Sequence, residues 1–185
     1  ALIRISGKNC IELLSKVFSR PKALTQAEGN TIVYGWIVDS VNPDQKQKID
    51  EVLVSVFRAP KSYTGEEMAE ISCHGGISPV TAIFNLLLKN GFRTALPGEF
   101  TFRAFINGKT DLTKSEAVKE IIDSKTDASR SLAAGRLSGN LYNEIQSIKE
   151  KIISTIASIE VELEYPEDEE NFSDSFDSTL LLQAK

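Results

Sequence analysis

Three charged side chains lie where the sequence pattern gives them a chemical use. Glu70 is a carboxylate in an otherwise largely apolar predicted strand, and Arg4 is the only charge of the predicted first strand. Lys109 follows Asn107-Gly108, a pair that ends helices, so a tight loop presents it just beyond a helix C-terminus. A buried carboxylate needs a partner, and it can pair with two donors of a planar heterocycle. Taken alone, all three charges are equally well explained as surface positions.

His74 is the only histidine and precedes Gly75-Gly76, where a strand is predicted to give way to a helix. Neither a serine or cysteine in an elbow motif nor a second metal ligand accompanies it in the sequence, so catalytic-triad and metal-site interpretations are weak. We favour a turn residue whose ring caps or packs locally. The two glycines allow a backbone or a ligand to approach closely.

Gly108-Lys109-Thr110 resembles the end of a phosphate-binding P-loop. That motif requires a glycine five residues before Gly108, where this chain has Arg103. A P-loop also follows a strand, whereas this triplet follows a predicted helix. We therefore do not expect this motif to bind a nucleotide.

The elements that position these residues alternate between strands and helices. Alternating and β-branched residues predict strands, and apolar residues at helical spacing predict helices. The predicted strands are 1–6, 31–38, 49–57, 66–73 and 92–96, and the predicted helices are 9–18 and 78–88. A turn at 42–44 makes strands 31–38 and 49–57 an antiparallel pair. Ser78 is the predicted N-cap of the second helix, with Pro79 in its first turn.

From residue 97 onward the pattern is helical. Phe100, Phe102, Phe105 and their apolar neighbours predict a short, largely buried helix over residues 99–107. Thr113, with Glu116 three residues on, forms a predicted capping box that opens a helix reaching about residue 136.

A second long helix carries an apolar stripe, with residues 137–140 as the joint before it. The stripe consists of Leu141, Ile145, Ile148, Ile152, Ile156, Ile159 and Leu163. Two helices cannot bury such a stripe, so we expect further helices or a partner subunit to cover it. Tyr165-Pro166 is predicted to end the helix before an acidic connector.

Composition limits the class of protein. The hydrophobic fraction of 41% is sufficient for a core, and Cys10 and Cys73 lack the spacing of a disulfide framework or zinc site, which fits a reducing compartment. The sequence contains neither a membrane-spanning run nor a signal-peptide pattern, so we expect no membrane association. The net charge of −5 reflects nine acidic residues and no basic one between positions 152 and 184. The rest of the chain is not basic enough to indicate nucleic-acid binding.

Four segments resemble, in order, consecutive signatures of one family. They are ALIRISG at 1–7, YTGEEMAEISCHGG at 63–76, PGEFTFRAFINGKTDLTKSEAV at 97–118 and YPEDEE at 165–170. The family comprises the tRNA-modifying GTPases called MnmE or TrmE, and the similarity spans nearly all of residues 1–170.

This resemblance implies an α+β fold class. Residues 1–110 would form an α/β domain with a mixed sheet, related to the tetrahydrofolate-binding fold of aminomethyltransferases, through which the family also dimerises. Residues 111–185 would begin a central helical domain and include the acidic connector. Full-length members insert a GTPase domain into the helical domain. We therefore expect a piece of a longer protein that hydrolyses no GTP by itself and contains no catalytic residue.

The resemblance also implies ligands and partners. Arg4, Glu70 and Lys109 match the family's contacts to 5-formyl-tetrahydrofolate, a one-carbon donor. Pterin N–H and amino groups suit Glu70, and the folate's carbonyl and carboxylate oxygens suit Arg4 and Lys109. The implied cytoplasmic reaction forms carboxymethylaminomethyl-uridine at C5 of the tRNA wobble uridine, with a flavin-dependent partner called MnmG or GidA. GTP, Mg²⁺ and K⁺ are implied for the full-length protein.

Two other interpretations stay open. A stand-alone aminomethyltransferase-like enzyme would keep the folate site, whereas a scaffold that only dimerises would use Arg4, Glu70 and Lys109 as surface or structural charges. Replacing Glu70 separates the folate-binding interpretations from the scaffold, because only a folate site loses ligand affinity.

Overall fold

A computed structural model describes residues 1–42 and 45–164. The chain divides into two compact units, Ala1–Ser115 and Glu116–Lys185. The first unit combines strands and helices, and the described part of the second is helical. The α+β class predicted from the sequence is therefore correct.

The first unit contains a four-stranded sheet in the order β1-β4-β3-β2. Its strands are β1 (Leu2–Ser6), β2 (Thr31–Asn42), β3 (Gln45–Phe57) and β4 (Met68–Ser72). All three ladders are antiparallel. The expectation of a mixed sheet is wrong for the described strands, and the relationship to a tetrahydrofolate-binding fold stays a prediction.

Residues 92–96 do not form the predicted strand. Polar groups of this segment form hydrogen bonds with the first residue of the next helix and do not pair with a neighbouring strand. Arg93 donates to the Glu99 carboxylate, and the backbone N–H of Leu96 donates to Glu99 Oε2 at 2.9 Å. A segment whose donors are satisfied locally gains little from strand pairing.

In chain order the helices of the described residues are α1 (Cys10–Ser15), α2 (Pro21–Thr25), α3 (Ile77–Lys89), α4 (Glu99–Ile106), α5 (Leu112–Asp123), α6 (Asp127–Leu137) and α7 (Asn140–Glu164). Helices α1, α2 and α3 pack against one face of the sheet through buried side chains. The core joins Val54, Val56 and Ile71 of the sheet to Leu14 and Leu87 of the helices. Burial of these side chains is the main source of stability for the unit.

The other sheet face is open. Cross-strand neighbours share a face, and one such row is Leu2, Ser72, Leu53 and Tyr34. Its three large side chains are 47–54% exposed, and Ile32 in the adjacent row is 66% exposed. The open face therefore has an apolar character that the sheet alone does not bury.

Two predicted helix starts are wrong by one or two residues. Helix α3 begins at Ile77 after extended Gly76, so Ser78 lies inside the first turn and does not cap it. Asp111, not Thr113, caps α5: its Oδ1 accepts the backbone N–H of Lys114 at 2.9 Å. The charged carboxylate of Asp111 satisfies the first-turn donor more strongly than a hydroxyl would.

The expected burial of α4 is also wrong. Ala104 is its buried residue, whereas Phe102 and Ile106 are 61% and 64% exposed. An eight-residue helix turns only about twice, so one stripe, here Phe100 and Ala104, can face inward. The remaining apolar side chains then face outward.

In the second unit, residues 124–126 interrupt the long helix predicted between 113 and 136. Thr126 caps α6 in a capping box with Ser129, which creates a new helix start. The predicted joint at 137–140 is confirmed, because α6 ends at Leu137 and Gly139 has φ +99°. None of the helices in the described ranges is long and apolar enough to cross a membrane.

The apolar stripe predicted for the last helix is present on α7. From Ile145 to Leu163, its side chains in the described unit are 39–76% exposed. The predicted helix end at Tyr165-Pro166 and the acidic connector lie outside the described residues.

Candidate functional site

Arg4 and Glu70 form a cross-strand ion pair on the open sheet face. They are direct partners in the antiparallel β1–β4 ladder. Because Ile5 points into the core and strand residues alternate, Arg4 is directed to the open face. Arg4 Nε and Nη2 each lie 2.7 Å from Glu70 Oε1. The pair keeps partial access to solvent, with 38% of the Arg4 side chain and 20% of the Glu70 side chain exposed.

Two aromatic rings flank this pair. The Arg4 guanidinium carbon lies 5.5 Å from the centre of the Tyr63 ring and 5.7 Å from that of Phe100. Both distances permit a cation–π attraction. The Tyr63 and Thr101 hydroxyls are 3.0 Å apart, which links the loop before β4 to α4. The carboxylate is thus adjacent to flat, apolar surfaces on which a planar ring could stack.

Lys109 contacts the same loop before β4 that carries Tyr63. Its Nζ donates to the backbone oxygen of Pro60 at 3.1 Å. Its aliphatic stem lies over Gly65, where an added Cβ would be 3.1 Å from Lys109 Cγ. No described hydrogen bond joins Lys109 to Arg4 or Glu70. Of the three predicted site residues, two are in direct contact and the third is connected through the loop carrying Tyr63.

A second charged cluster was missed by the sequence analysis, which named Arg103 only as the residue that breaks the P-loop pattern. Arg103 donates to Glu66 Oε2 at 2.8 Å and to Glu99 Oε1 at 2.9 Å. Hydrogen bonds from Arg93, the Leu96 N–H and Arg103 hold the pKa of Glu99 far below its usual range. The spacing of four residues between Glu99 and Arg103 was a usable signal. Glu66 and Arg93 join the cluster only through tertiary structure.

A cavity of about 570 Å³ lies beside β1, which forms an edge of the sheet. Its apolar lining includes Leu13, Phe84 and Phe92. Charged residues also line it, namely Arg4, Lys8, Arg93, Glu99 and Arg103. Arg4 therefore contributes both to the ion pair on the open face and to the cavity wall.

Comparison with known proteins assigns the chain to a family. A family model described as "GTP-binding protein TrmE N-terminus" matches residues 1–109, and one described as "MnmE helical domain" matches residues 112–184. The chain belongs to the MnmE (TrmE) family. The expected family is thus confirmed, and Arg4, Glu70 and Lys109 all lie in the stretch that matches the TrmE N-terminus.

Proteins named "tRNA modification GTPase MnmE" are similar over most of the chain. That of Treponema denticola is 53% identical over 182 residues, which cover 98% of this chain and 38% of the relative. That of Borreliella burgdorferi is 47% identical over 184 residues, covering 100% and 39%. That of Carboxydothermus hydrogenoformans is 50% identical over 168 residues, covering 90% and 36%. This MnmE-family chain thus spans less than two fifths of these relatives.

His74 has a local partner in this MnmE-family chain. Asp50 Oδ1 lies 2.7 Å from His74 Nδ1, and Asp50 Oδ2 accepts the backbone N–H of His74 at 2.9 Å. Burial alone would raise the pKa of Asp50, but these hydrogen bonds and one from the Glu51 N–H lower it. The contact agrees with a turn residue that packs locally. Within residues 1–42 and 45–164, acidic, histidine and cysteine side chains form no metal-binding cluster of three or more.

The two cysteines differ in their surroundings. Cys10 is buried, and its Sγ donates to the backbone oxygen of Glu67 at 3.2 Å. Burial, followed by the nearby charges of Glu67 and Glu12, raises the pKa of the Cys10 thiol to about 12. Cys73, at the end of β4, is partly exposed. The thiolate is the nucleophilic form, so Cys10 is inert at neutral pH.

Proposed function

We propose that residues 1–110 bind 5-formyl-tetrahydrofolate at a site that includes Arg4, Glu70 and Lys109. The observation that supports this site most directly is the orientation of Glu70. Arg4 Nε donates to Oε1, Arg4 Nη2 lies at the same distance from that oxygen, and no hydrogen bond from the described residues reaches Oε2. An ionised carboxylate has about four acceptor positions, so Glu70 can hold Arg4 and still accept pterin donors.

The surroundings of Glu70 fit a planar heterocycle. The rings of Tyr63 and Phe100 both contact the Arg4 guanidinium, and either ring could stack on a planar ligand. A pterin presents adjacent N–H and amino donors in one plane, which a carboxylate recognises in a bidentate manner. The ion pair with Arg4 holds the Glu70 carboxylate in position for this role.

Lys109 would contribute an additional cation. Its ammonium group uses one of its three donors on the Pro60 oxygen, and the side chain is exposed. The remaining donors can bind a carbonyl or carboxylate oxygen of the folate. Because Lys109 holds the loop that carries Tyr63, it would also position the stacking surface.

Calorimetric titration of the 185-residue chain with 5-formyl-tetrahydrofolate tests this site. We expect one ligand per chain and loss of at least about tenfold in affinity for Glu70→Ala, the scale for removing a charged hydrogen-bond partner. Glu28→Ala, at an exposed carboxylate on the loop before β2, is the matched control. Unchanged titrations for a folded Glu70→Ala variant would support the scaffold interpretation instead.

We also propose that this part of the chain dimerises through the open sheet face. The exposed side chains of Leu2, Tyr34, Leu53 and Ile32 support this proposal because soluble surfaces seldom keep such rows uncovered. Sedimentation of Leu53→Lys should then give monomers, whereas Ile77→Lys, a change at an 88% exposed residue of α3, should leave the dimer intact. A dimer that survives Leu53→Lys would contradict this assignment.

For the whole protein we propose the activity in the name of its relatives, a tRNA modification GTPase. In this proposal a GTPase domain outside this sequence binds GTP, Mg²⁺ and K⁺, and the MnmG or GidA flavoprotein is the partner. The folate then supplies one carbon to C5 of the wobble uridine in the cytoplasm. Mass spectrometry of tRNA from cells carrying Glu70→Ala in the full-length protein should show loss of the modified uridine.

A further inference from the structure

We propose that the cavity beside β1 receives the carboxylate-bearing tail of the folate, and that it favours folates with several γ-linked glutamates over the monoglutamate. This inference rests on the proposed folate site and adds a second subsite to it. The cavity has an apolar and cationic lining, and it shares Arg4 with the ion pair at Glu70.

The lining matches the first part of the tail. A folate continues from the pterin into an aromatic aminobenzoyl ring, which requires an apolar cleft. Phe84, Phe92 and Phe100 line the cavity together with Leu13 and Leu88. Ring faces and aliphatic chains of this kind bind an aromatic ring in the usual manner of a small-molecule pocket.

The charge of the cavity matches the end of the tail. Four cations, Arg4, Lys8, Arg93 and Arg103, and the carboxylate of Glu99 line the wall. Arg4 is paired with Glu70, and Arg103 is paired with Glu66 as well as with Glu99. Glu99 is already shared by Arg93 and Arg103. Lys8 is exposed, and none of the hydrogen bonds or ion pairs among the described residues occupies its ammonium group. Lys8 is therefore available to a carboxylate, and each added glutamate brings one.

Arg4 connects this cavity to the pterin position. Its guanidinium binds Glu70 on the open sheet face, and the same side chain lines the cavity together with Phe100. A ligand held at Glu70 thus lies beside a residue that also lines the cavity. One elongated molecule can occupy both places, with its polar heterocycle at Glu70 and its carboxylates near Lys8.

The test compares 5-formyl-tetrahydrofolate as monoglutamate and triglutamate by calorimetric titration of the 185-residue chain. We expect the triglutamate to bind about two- to fivefold more tightly, the range for one solvent-exposed ion pair. Lys8→Ala should abolish this preference, Lys8→Arg should retain it, and Lys8→Glu should reverse it. Lys22→Ala, at an exposed lysine of α2, is the matched control and should retain the preference.

The outcomes separate this inference from the site on which it depends. Equal affinities for the two ligands, with both lost in Glu70→Ala, would overturn the tail subsite and leave the pterin site standing. If the Lys8→Glu variant still preferred the triglutamate to the same extent, Lys8 and the cavity that it lines would have no part in binding the tail. Binding of both ligands that is insensitive to Glu70→Ala would reject the proposed folate site itself.

Discussion

Arg4 Nε donates to Oε1 of Glu70 and Arg4 Nη2 lies 2.7 Å from the same oxygen, whereas Oε2 of that carboxylate makes no hydrogen bond within the described part of the chain. A pair built only for stability would more often use the bidentate geometry in which each oxygen receives one donor. The observed geometry instead leaves Glu70 with acceptor capacity directed at the open sheet face. Stability and ligand binding should therefore depend on this residue to different extents.

Glu70→Gln should separate these two effects. We expect a loss of no more than about 1 kcal/mol in the free energy of unfolding, because exposed ion pairs contribute little. Folate affinity should fall at least about tenfold, because the ionised acceptor for the pterin is lost. Urea unfolding and calorimetry on the same preparation measure both. A large loss of stability with unchanged ligand affinity would assign Glu70 a structural role only.

Gly35→Ala should destabilise the core of the first unit. An added Cβ would lie 2.4 Å from Cζ of Phe18, which is 1% exposed and has no room to move. We expect a loss of about 1–3 kcal/mol, the range for overpacked cores. Gly135→Ala in α6, whose nearest neighbour would be 3.6 Å away, is the control and should be neutral or stabilising.

The same clash predicts non-additivity. Phe18→Leu should cost less in the Gly35→Ala background than in the wild-type chain, because the smaller side chain relieves the contact. Chemical denaturation of the four proteins in the cycle gives the coupling energy. Strictly additive losses would mean that the strand shifts to accept the methyl group without involving Phe18.

Alkylation should distinguish the two cysteines. With its pKa raised to about 12, the buried Cys10 thiol is almost entirely protonated at pH 8. Iodoacetamide at that pH should modify Cys73 in the folded protein and reach Cys10 only after denaturation. Peptide mass spectrometry identifies the modified residue, and Cys73→Ser provides the control. Equal labelling of both thiols under native conditions would contradict the burial of Cys10.

Glu99 should make stability sensitive to acid. Its pKa is lowered in the folded state by Arg93, the Leu96 N–H and Arg103, so its contribution is complete above the unfolded-state value of about 4.3. The contribution is lost as the pH falls from there toward the folded-state pKa. Glu99→Gln should therefore be less stable than wild type at pH 7, and the difference should shrink below about pH 4.

Urea unfolding between neutral and strongly acidic pH measures this narrowing. Glu28→Gln, on an exposed loop, should show no comparable pH-dependent difference from wild type. A difference between Glu99→Gln and wild type that stays constant across the pH range would mean that the carboxylate charge does not supply the stabilisation.

The sequence was sufficient for features that depend on local pattern. Alternating apolar residues place Arg4 and Glu70 on strands, and Gly139 lies in the predicted joint before α7. The direct pairing of Arg4 with Glu70 could not be derived from pattern, because antiparallel register between distant strands depends on the whole sheet. The contact between Lys109 and Pro60 was hidden for the same reason.

Other differences between prediction and structure arose where more than one residue was suited to the same structural role. Both Asp111 and Thr113 are suitable N-caps, and only the position of the backbone decides between them. The phenylalanines of α4 indicate burial by type, but a two-turn helix has one inward stripe, which leaves Phe102 outside. Propensity identifies candidates in such cases, and tertiary geometry selects one of them.

The β1–β4 ladder has a consequence for synthesis on the ribosome. Arg4 and Glu70 are separated by 66 residues, whereas the β2–β3 hairpin pairs neighbours in the chain. At a synthesis rate of about 5–20 residues per second, β4 is completed roughly 3 to 13 s after β1. During that interval the hairpin can form, while the first strand must be kept from pairing with other nascent chains. The proposed ligand site is thus completed late in translation of the unit.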